Sequence, residues 1–117
     1  MLRLLIDHDF NENILQGLQN RVTQLDAVTA RTIGFEEEPD TELLLARAAV
    51  EDRIVLTHDV QTMPSFAITR VRNGESMPGL LIVPQRFPIG RAIEELTMIL
   101  LCSDQSEWRD LIVHLPL

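Results

Sequence analysis

The sequence predicts an α/β fold, a three-layer α/β/α sandwich with a mainly parallel central sheet. Two observations lead to this prediction. Residues 4–6, 54–56 and 80–83 are short, unbroken apolar runs, which are typical of strands buried on both faces of a sheet. Segments with apolar residues at helical spacing separate these runs, and strands that alternate with helices form parallel sheets covered by helices.

The first part of the chain contains two predicted strands and the helix between them. The first strand covers residues 3–7, and residues 25–30 form a less hydrophobic strand that we expect nearer an edge. Asp9 or Asn11 is the expected N-cap of the helix. Its apolar face consists of Ile14, Leu15, Leu18 and Val22.

A polar loop and a second helix lead to the central strand. The loop covers residues 31–39, and we interpret its glutamate run at 36–38 as solvated, with a metal-binding or arginine-binding patch as the alternative. Asp40 is the expected N-cap of the second helix, and Glu42 lies in its first turn, where an acid suits the helix dipole. Residues 43–50 are apolar almost all round, so we expect this helix to be well buried.

The second half of the chain repeats the alternation of strands and helices. The central strand leads into a third helix, for which Thr62 is the candidate N-cap and Gly74 a suitable C-terminal stop. The remaining predicted elements are a strand over residues 80–83, a helix that begins at Pro88, a polar connection over 103–109 and a final strand over 111–113.

Composition limits the function classes. All ten basic residues are arginine, and the absence of lysine excludes Schiff-base chemistry, a phosphate-binding P-loop lysine and a lysine base. The net charge of −8 means that the overall field does not attract nucleic acid, so RNA binding would need local arginines and a bound cation. A single cysteine, Cys102, excludes a disulfide framework and a cysteine-based zinc site.

Length and hydropathy predict one cytoplasmic domain. The 117 residues give room for a single domain over residues 1–117. No apolar run approaches the roughly 18 residues needed to cross a bilayer, and the first residues lack the layout of a signal peptide. We therefore expect a cytoplasmic protein without a membrane partner.

Carboxylates that follow two predicted strands are the main functional signal. Asp7 follows the first apolar run and Asp59 follows the central strand. Chemistry in open α/β sheets collects beyond the carboxyl ends of the strands, and an acid that ends a buried strand needs a partner. Asp9 and Asp40 are further candidates for the same site.

An oxygen-only ligand set of this kind is suited to Mg²⁺ or Mn²⁺, and such a cation assists the hydrolysis of phosphodiesters. Like charges in one cleft repel each other. On this basis we expect Asp59→Asn to abolish cleavage and to leave the fold intact or slightly more stable.

Each candidate also has a structural interpretation. Asp9 and Asp40 could serve only as N-caps. Arg70 and Arg72 on the third helix are candidates for contacts to RNA phosphates, with ordinary solvated arginines as the alternative. The histidines that adjoin the acids could be solvated or hydrogen-bonded and have no role in chemistry. The accessory candidates are Glu42, Thr57, His8 and His58.

Residues 5–7, 40–44 and 53–59 together resemble the PIN-like domain family of predicted nucleases. Residues 77–83 and 88–96 are similar to one branch of that family, so the resemblance covers nearly the whole chain. It implies that Asp7, Asp40 and Asp59 are the metal-binding and catalytic acids of a Mg²⁺- or Mn²⁺-dependent ribonuclease. Asp9 stands where relatives often have an amide and is a candidate further ligand because it lies close to Asp7 in the sequence. The resemblance also implies the toxin of a toxin–antitoxin pair, with RNA as substrate and an antitoxin protein as partner. A homodimer is left open.

The chain departs from the family pattern at one point. Gln61 and Thr62 stand where many relatives have a second acid and an aromatic residue. The site would then hold one metal weakly or have lost activity, unless Asp9 compensates. A catalytically silent interaction module on the same fold is the main alternative. A phosphoacceptor receiver domain is disfavoured because such domains rely on a lysine late in the sheet.

Overall fold

The computed structural model of the chain describes residues 1–35, 37 and 40–117. Of the glutamate run, Glu36 and Glu38 lie outside the described residues, as does Pro39, so the interpretation of this run as a solvated loop stays a prediction. Within the described ranges, β-strands and α-helices alternate along the chain in the predicted order.

The observed elements lie close to their predicted positions. The strands β1 to β5 cover Arg3–Ile6, Asp26–Thr29, Ile54–Thr57, Leu80–Ile82 and Ile112–His114. The helices α1 to α4 cover Glu12–Arg21, Thr41–Glu51, Thr62–Arg72 and Ile89–Cys102. Short 3₁₀ helices cover Arg31–Ile33 and Gln105–Trp108. In the parts of the chain that are described, no helix has both the length and the hydropathy needed to cross a membrane.

The strands form one sheet in the order β2-β1-β3-β4-β5, and every neighbouring pair is parallel. In the register of this sheet, Leu5 of β1 lies opposite Val28 of β2 and Val55 of β3. The weakly hydrophobic β2 is an edge strand with exposed and half-buried residues. The predicted parallel sheet is confirmed.

Helices cover both faces of the sheet and enclose two apolar cores. Alternate residues of β1 point to opposite faces, so that Leu4 and Ile6 lie in one core and Leu5 in the other. The first core also contains the apolar residues of α1 and α4. The second contains those of α2 and α3. This arrangement confirms the three-layer α/β/α architecture.

Two predicted features of the second helix differ in the structure. The prediction that α2 is well buried is wrong for one side of the helix, because Leu43 is 57% exposed and Val50 is 83% exposed. Its buried residues are Leu44, Leu45 and Ala48, which face the second core. Asp40 occupies the N-cap position as predicted, but its side chain makes no capping hydrogen bond.

The other predicted caps are resolved by the hydrogen bonds. Asn11 is the N-cap of α1, and its side-chain oxygen accepts from the Asn13 amide at 2.8 Å. Of the two candidates, Asp9 is therefore not the cap. Thr62 was the expected N-cap of α3, which is wrong because Thr62 is the first helical residue and Gln61 occupies the cap position.

An arginine at the amino edge of the sheet joins three segments. The Arg53 guanidinium donates to the Leu4 carbonyl at 3.2 Å, to the Asp26 carboxylate at 2.7 Å and to the Glu51 carboxylate at 3.2 Å. Glu51 also accepts from Arg47 one turn earlier in α2. The hydrogen bond from Arg47 is the main cause that holds the pKa of Glu51 below its ordinary value, with Arg53 adding to it and burial opposing it.

We expect Gly79→Ala to lower the free energy of unfolding by about 3 kcal/mol. Gly79 has φ = +141°, and an added Cβ would lie 2.8 Å from the Trp108 carbonyl oxygen. Gly90→Ala is the matched control, since nothing lies within 4 Å of its added Cβ, and it should change stability by less than about 1 kcal/mol. Urea unfolding measures both. Equal stability of the two variants would contradict the close approach at Gly79.

We expect Glu51→Gln to lower the free energy of unfolding by about 1 kcal/mol at pH 7. The folded-state pKa of Glu51 is depressed from 4.5. Its stabilising contribution is therefore fully present above pH 4.5 and is lost as the pH falls through the lower folded value. Urea unfolding of wild type and variant should differ at pH 7 and converge well below 4.5. Glu94→Gln on the exposed side of α4 is the control, and a difference that persists at low pH would disprove the ionic origin.

A candidate active site at the carboxyl edge of the sheet

The strand order creates a crevice at the carboxyl ends of β1 and β3. The chain leaves β1 through α1, on one face of the sheet, towards β2, and it leaves β3 through α3, on the other face, towards β4. Neighbouring connections therefore leave in opposite directions between β1 and β3, which is where ligands bind in doubly wound sheets. Asp7 directly follows β1, and His58 and Asp59 directly follow β3.

A cleft of about 340 Å³ lies at this point. Three of the sequence-predicted acids, Asp7, Asp9 and Asp59, line it together. Among the described residues that line the cleft there is no arginine. The other lining residues are Thr41, Leu44, His58, Met63 and Gln85.

A buried hydroxyl connects the two strand-end acids. Thr57, the last residue of β3, is fully buried. Its hydroxyl donates to the Asp7 carboxylate at 2.6 Å and accepts from the Asp59 amide at 3.0 Å. The second Asp7 oxygen accepts from the His8 amide at 2.8 Å. Thr57, predicted as an accessory residue, therefore fixes the orientation of Asp7.

The Asp59 carboxylate caps helix α3. One oxygen accepts from the amides of Gln61 and Thr62, each at 2.9 Å, and the other accepts from the Met63 amide at 3.1 Å. These amides belong to the N-terminus of α3, where a negative charge is favourable. An ionised carboxylate has about four acceptor positions, so about one stays available to a ligand.

His58 is a structural link. Its Nδ1 lies 2.8 Å from the Val83 carbonyl oxygen, and its Nε2 lies 3.1 Å from the Asn11 amide nitrogen. Both hydrogen bonds can form only if Nδ1 carries the hydrogen and Nε2 accepts. The Phe10 ring stacks on the imidazole with centroids 4.4 Å apart. His58 is therefore a hydrogen-bonded histidine, which was the structural alternative, and both of its ring nitrogens have partners.

Asp9 is the most exposed acid of the cleft. Its side chain is 74% exposed and lies 3.2 Å from Nδ1 of His8. Because Asn11 caps α1, Asp9 does not perform the capping role that was its structural alternative. Its carboxylate can therefore accept a ligand from the cleft.

Asp40 and Glu42 do not join the cleft. Both are exposed, and neither lines it, although Thr41 between them does. Within the described ranges, no group of three or more His, Cys, Asp or Glu side chains is arranged to hold a metal ion. The structure therefore brings Asp7 and Asp59 together as predicted and leaves Asp40 outside.

Arg70 and Arg72 lie at the far end of α3 from the cleft. Helix α3 begins beside Asp59 and ends at Arg72. The Arg70 guanidinium donates to the Ser76 carbonyl at 2.9 and 3.1 Å and lies 3.4 Å from the Glu75 carboxylate. These contacts hold the turn after α3. Neither arginine lines the cleft.

Four residues that line the cleft were not predicted from the sequence: Thr41, Leu44, Met63 and Gln85. Gln85 follows β4, so the rule that selected the acids after β1 and β3 would also have selected it. No comparable signal identifies Thr41, Leu44 or Met63, which reach the cleft from the first turns of α2 and α3.

The hydrogen bonds of Asp59 reverse the expectation that Asp59→Asn preserves stability. An amide group offers one oxygen where three backbone amides need acceptors, and it carries no charge. We now expect Asp59→Asn to lower the free energy of unfolding by about 1–2 kcal/mol, measured by urea unfolding. Asp9→Asn, at an exposed position, should leave stability unchanged. If both variants have the same free energy of unfolding as the wild type, the capping hydrogen bonds of Asp59 contribute nothing to stability.

Comparisons with known proteins identified no relative of the chain. No family model, curated protein or solved structure matches the chain. The resemblance to PIN-like nucleases therefore rests on the residue patterns of the sequence, and function has to be argued from the cleft itself.

Proposed function

We propose that the chain is a divalent-cation-dependent ribonuclease of the PIN-like type that hydrolyses RNA phosphodiesters in the acidic cleft. The observation that carries this proposal is the meeting of Asp7, Asp9 and Asp59 in one cleft at the carboxyl ends of β1 and β3. This is the position at which doubly wound sheets bind their ligands.

The charge of the cleft requires a cation if the substrate is a polyanion. Three carboxylates line it, and no arginine lies among its described lining residues. The chain as a whole carries a charge of −8. A phosphodiester would be repelled from this cleft unless a cation offsets the carboxylates.

The donor set fits Mg²⁺ or Mn²⁺ better than softer metals, because carboxylate oxygens are hard ligands. The Thr57 hydroxyl and the His8 amide use about half of the acceptor positions of Asp7, and Asp9 is largely exposed. Asp7 and Asp9 would therefore hold the cation, with Asp59 beside them. Mg²⁺ is commonly bound through one or two carboxylates, with water and substrate phosphates completing its shell. Asp40 as a ligand stays a prediction from the resemblance.

The residues of the cleft would position the reactants. The Thr57 hydroxyl holds Asp7 in one orientation, and the α3 amides do the same for Asp59. Asp9 could accept a hydrogen bond from the attacking water, and Gln85 on the β4 side could donate to a phosphate oxygen. A bound cation would supply Lewis acidity towards water and phosphate oxygens.

A catalytically silent interaction module is the second candidate. It is favoured by the use of Asp59 as a helix cap, which gives this acid a purpose without a metal. The role as a toxin, the antitoxin partner and the homodimer rest on the resemblance. Exposed apolar side chains near the end of α4, Met98 and Leu101, would suit a protein partner.

We expect Asp7→Asn to lower the rate of RNA cleavage by about 100-fold or more and to weaken Mn²⁺ binding measured by calorimetry. Asp9→Asn should weaken both to a smaller extent. Asp110→Asn is the matched control: it removes the same charge at the amino edge, from a residue whose φ of +62° asparagine tolerates. EDTA should abolish wild-type cleavage.

The two candidate functions separate in this experiment. Loss of cleavage and of Mn²⁺ binding together in Asp7→Asn, with Asp110→Asn unaffected, supports the ribonuclease. A folded wild type that binds neither Mn²⁺ nor Mg²⁺ and cleaves no RNA would reject it in favour of the interaction module. Asp59→Asn is less informative, because its effect on α3 has to be separated from any effect on catalysis.

A further inference from the structure

A second cleft lies beside the first, on the other side of Asp7. It has a volume of about 280 Å³ and is bounded by α1 and by the carboxyl ends of β1 and β2. Asp7 lines both clefts. A ligand too long for the first cleft can therefore extend past Asp7 into the second.

One wall of the second cleft is a polar stripe of α1. Glu12, Gln16 and Gln19 are spaced by four and three residues, so they lie on one face of the helix. All three are exposed and line the cleft. A glutamine amide offers both donors and an acceptor. One donor of the Gln16 amide bonds to Asn20 at 3.2 Å, which leaves its oxygen and a second N–H for a ligand.

The same cleft has apolar lining residues and one guanidinium. Phe10 is buried and Leu15 half-buried, and both line the cleft. Arg31, which follows β2, is the only arginine or lysine among the described lining residues of either cleft. The combination of an apolar surface, amide groups and a guanidinium matches a flat ring with polar edges that is joined to a phosphate.

We propose that the second cleft is a ribonucleotide subsite, which holds the nucleoside next to the phosphodiester in the first cleft. Gln16 and Gln19 face the edge of the base, and Arg31 faces the nucleotide's own phosphate within the second cleft. Glu12, which as a carboxylate only accepts hydrogen bonds, faces the ribose hydroxyls. The cleft volume of about 280 Å³ is close to the lower limit of the range of about 300–1,000 Å³ that is typical of small-ligand sites. The cleft therefore has room for one nucleotide and not for a longer ligand. This inference rests on the proposed function for its substrate class.

The test is a titration of the full chain with adenosine or uridine 5′-monophosphate, followed by amide NMR signals in the presence of EDTA. The signals of Leu15, Gln19 and Thr29 should shift. Arg31→Ala should weaken binding by about tenfold. Arg109→Ala removes the same charge at the amino edge, outside both clefts, and should change binding by less than about twofold. The 2′-deoxy nucleotide should bind more weakly than the ribonucleotide.

The outcomes separate this subsite from the proposed activity, because the titration requires neither metal nor turnover. The subsite is rejected if no nucleotide shifts these signals at about 10 mM. It is also rejected if only the signals of Gln85 and Met63 shift, or if inorganic phosphate produces the same shifts. Nucleotide binding at Leu15 and Gln19 without RNA cleavage would keep the subsite and reject the nuclease. RNA cleavage without nucleotide binding would keep the nuclease and reject the subsite.

Discussion

A single buried hydroxyl joins the two strand ends on which the candidate site depends. Thr57 is the only polar residue buried in the described part of the chain, and its hydroxyl connects the Asp7 carboxylate to the Asp59 amide. Hydrogen bonds of this kind are strong in a low-dielectric interior and costly to leave unmade. The orientation of the Asp7 carboxylate and the position of the Asp59 backbone, which precedes α3, therefore depend on a side chain that touches no solvent.

The acids of the cleft differ in how far their charge is already compensated. Asp59 faces three backbone amides at a helix N-terminus, whereas Asp7 has one amide and one hydroxyl. Among the described residues, the Asp9 carboxylate has a single contact, which is exposed, to His8. The sequence shows how many carboxylates meet, but it does not show the backbone donors that compensate their charges. Compensation of the carboxylate charge by hydrogen-bond donors therefore decreases from Asp59 to Asp9.

The parts of the fold that depend on local pattern could be predicted, and the parts that depend on distant contacts could not. Unbroken apolar runs predicted the parallel strands, and the strand-end rule brought Asp7 and Asp59 to one edge. The hydrogen bonds of the two His58 ring nitrogens could not be predicted, because their partners are a carbonyl after β4 and an amide before α1. The position of Arg70, in contrast, could have been predicted. A helix that starts at the cleft and rises about 1.5 Å per residue carries its last turn to the opposite edge.

The hydrogen bond between His58 and the Asn11 amide affects more than the wall of one cleft. It ties residues 8–11, the segment that separates the two clefts, to the end of the central strand. Asp9, on one side of this segment, and Phe10, on the other, thus share one anchor. A ligand that displaces the segment from one cleft must strain the bonds that shape the other. The shapes of the two clefts therefore depend on one shared hydrogen bond at the end of the central strand.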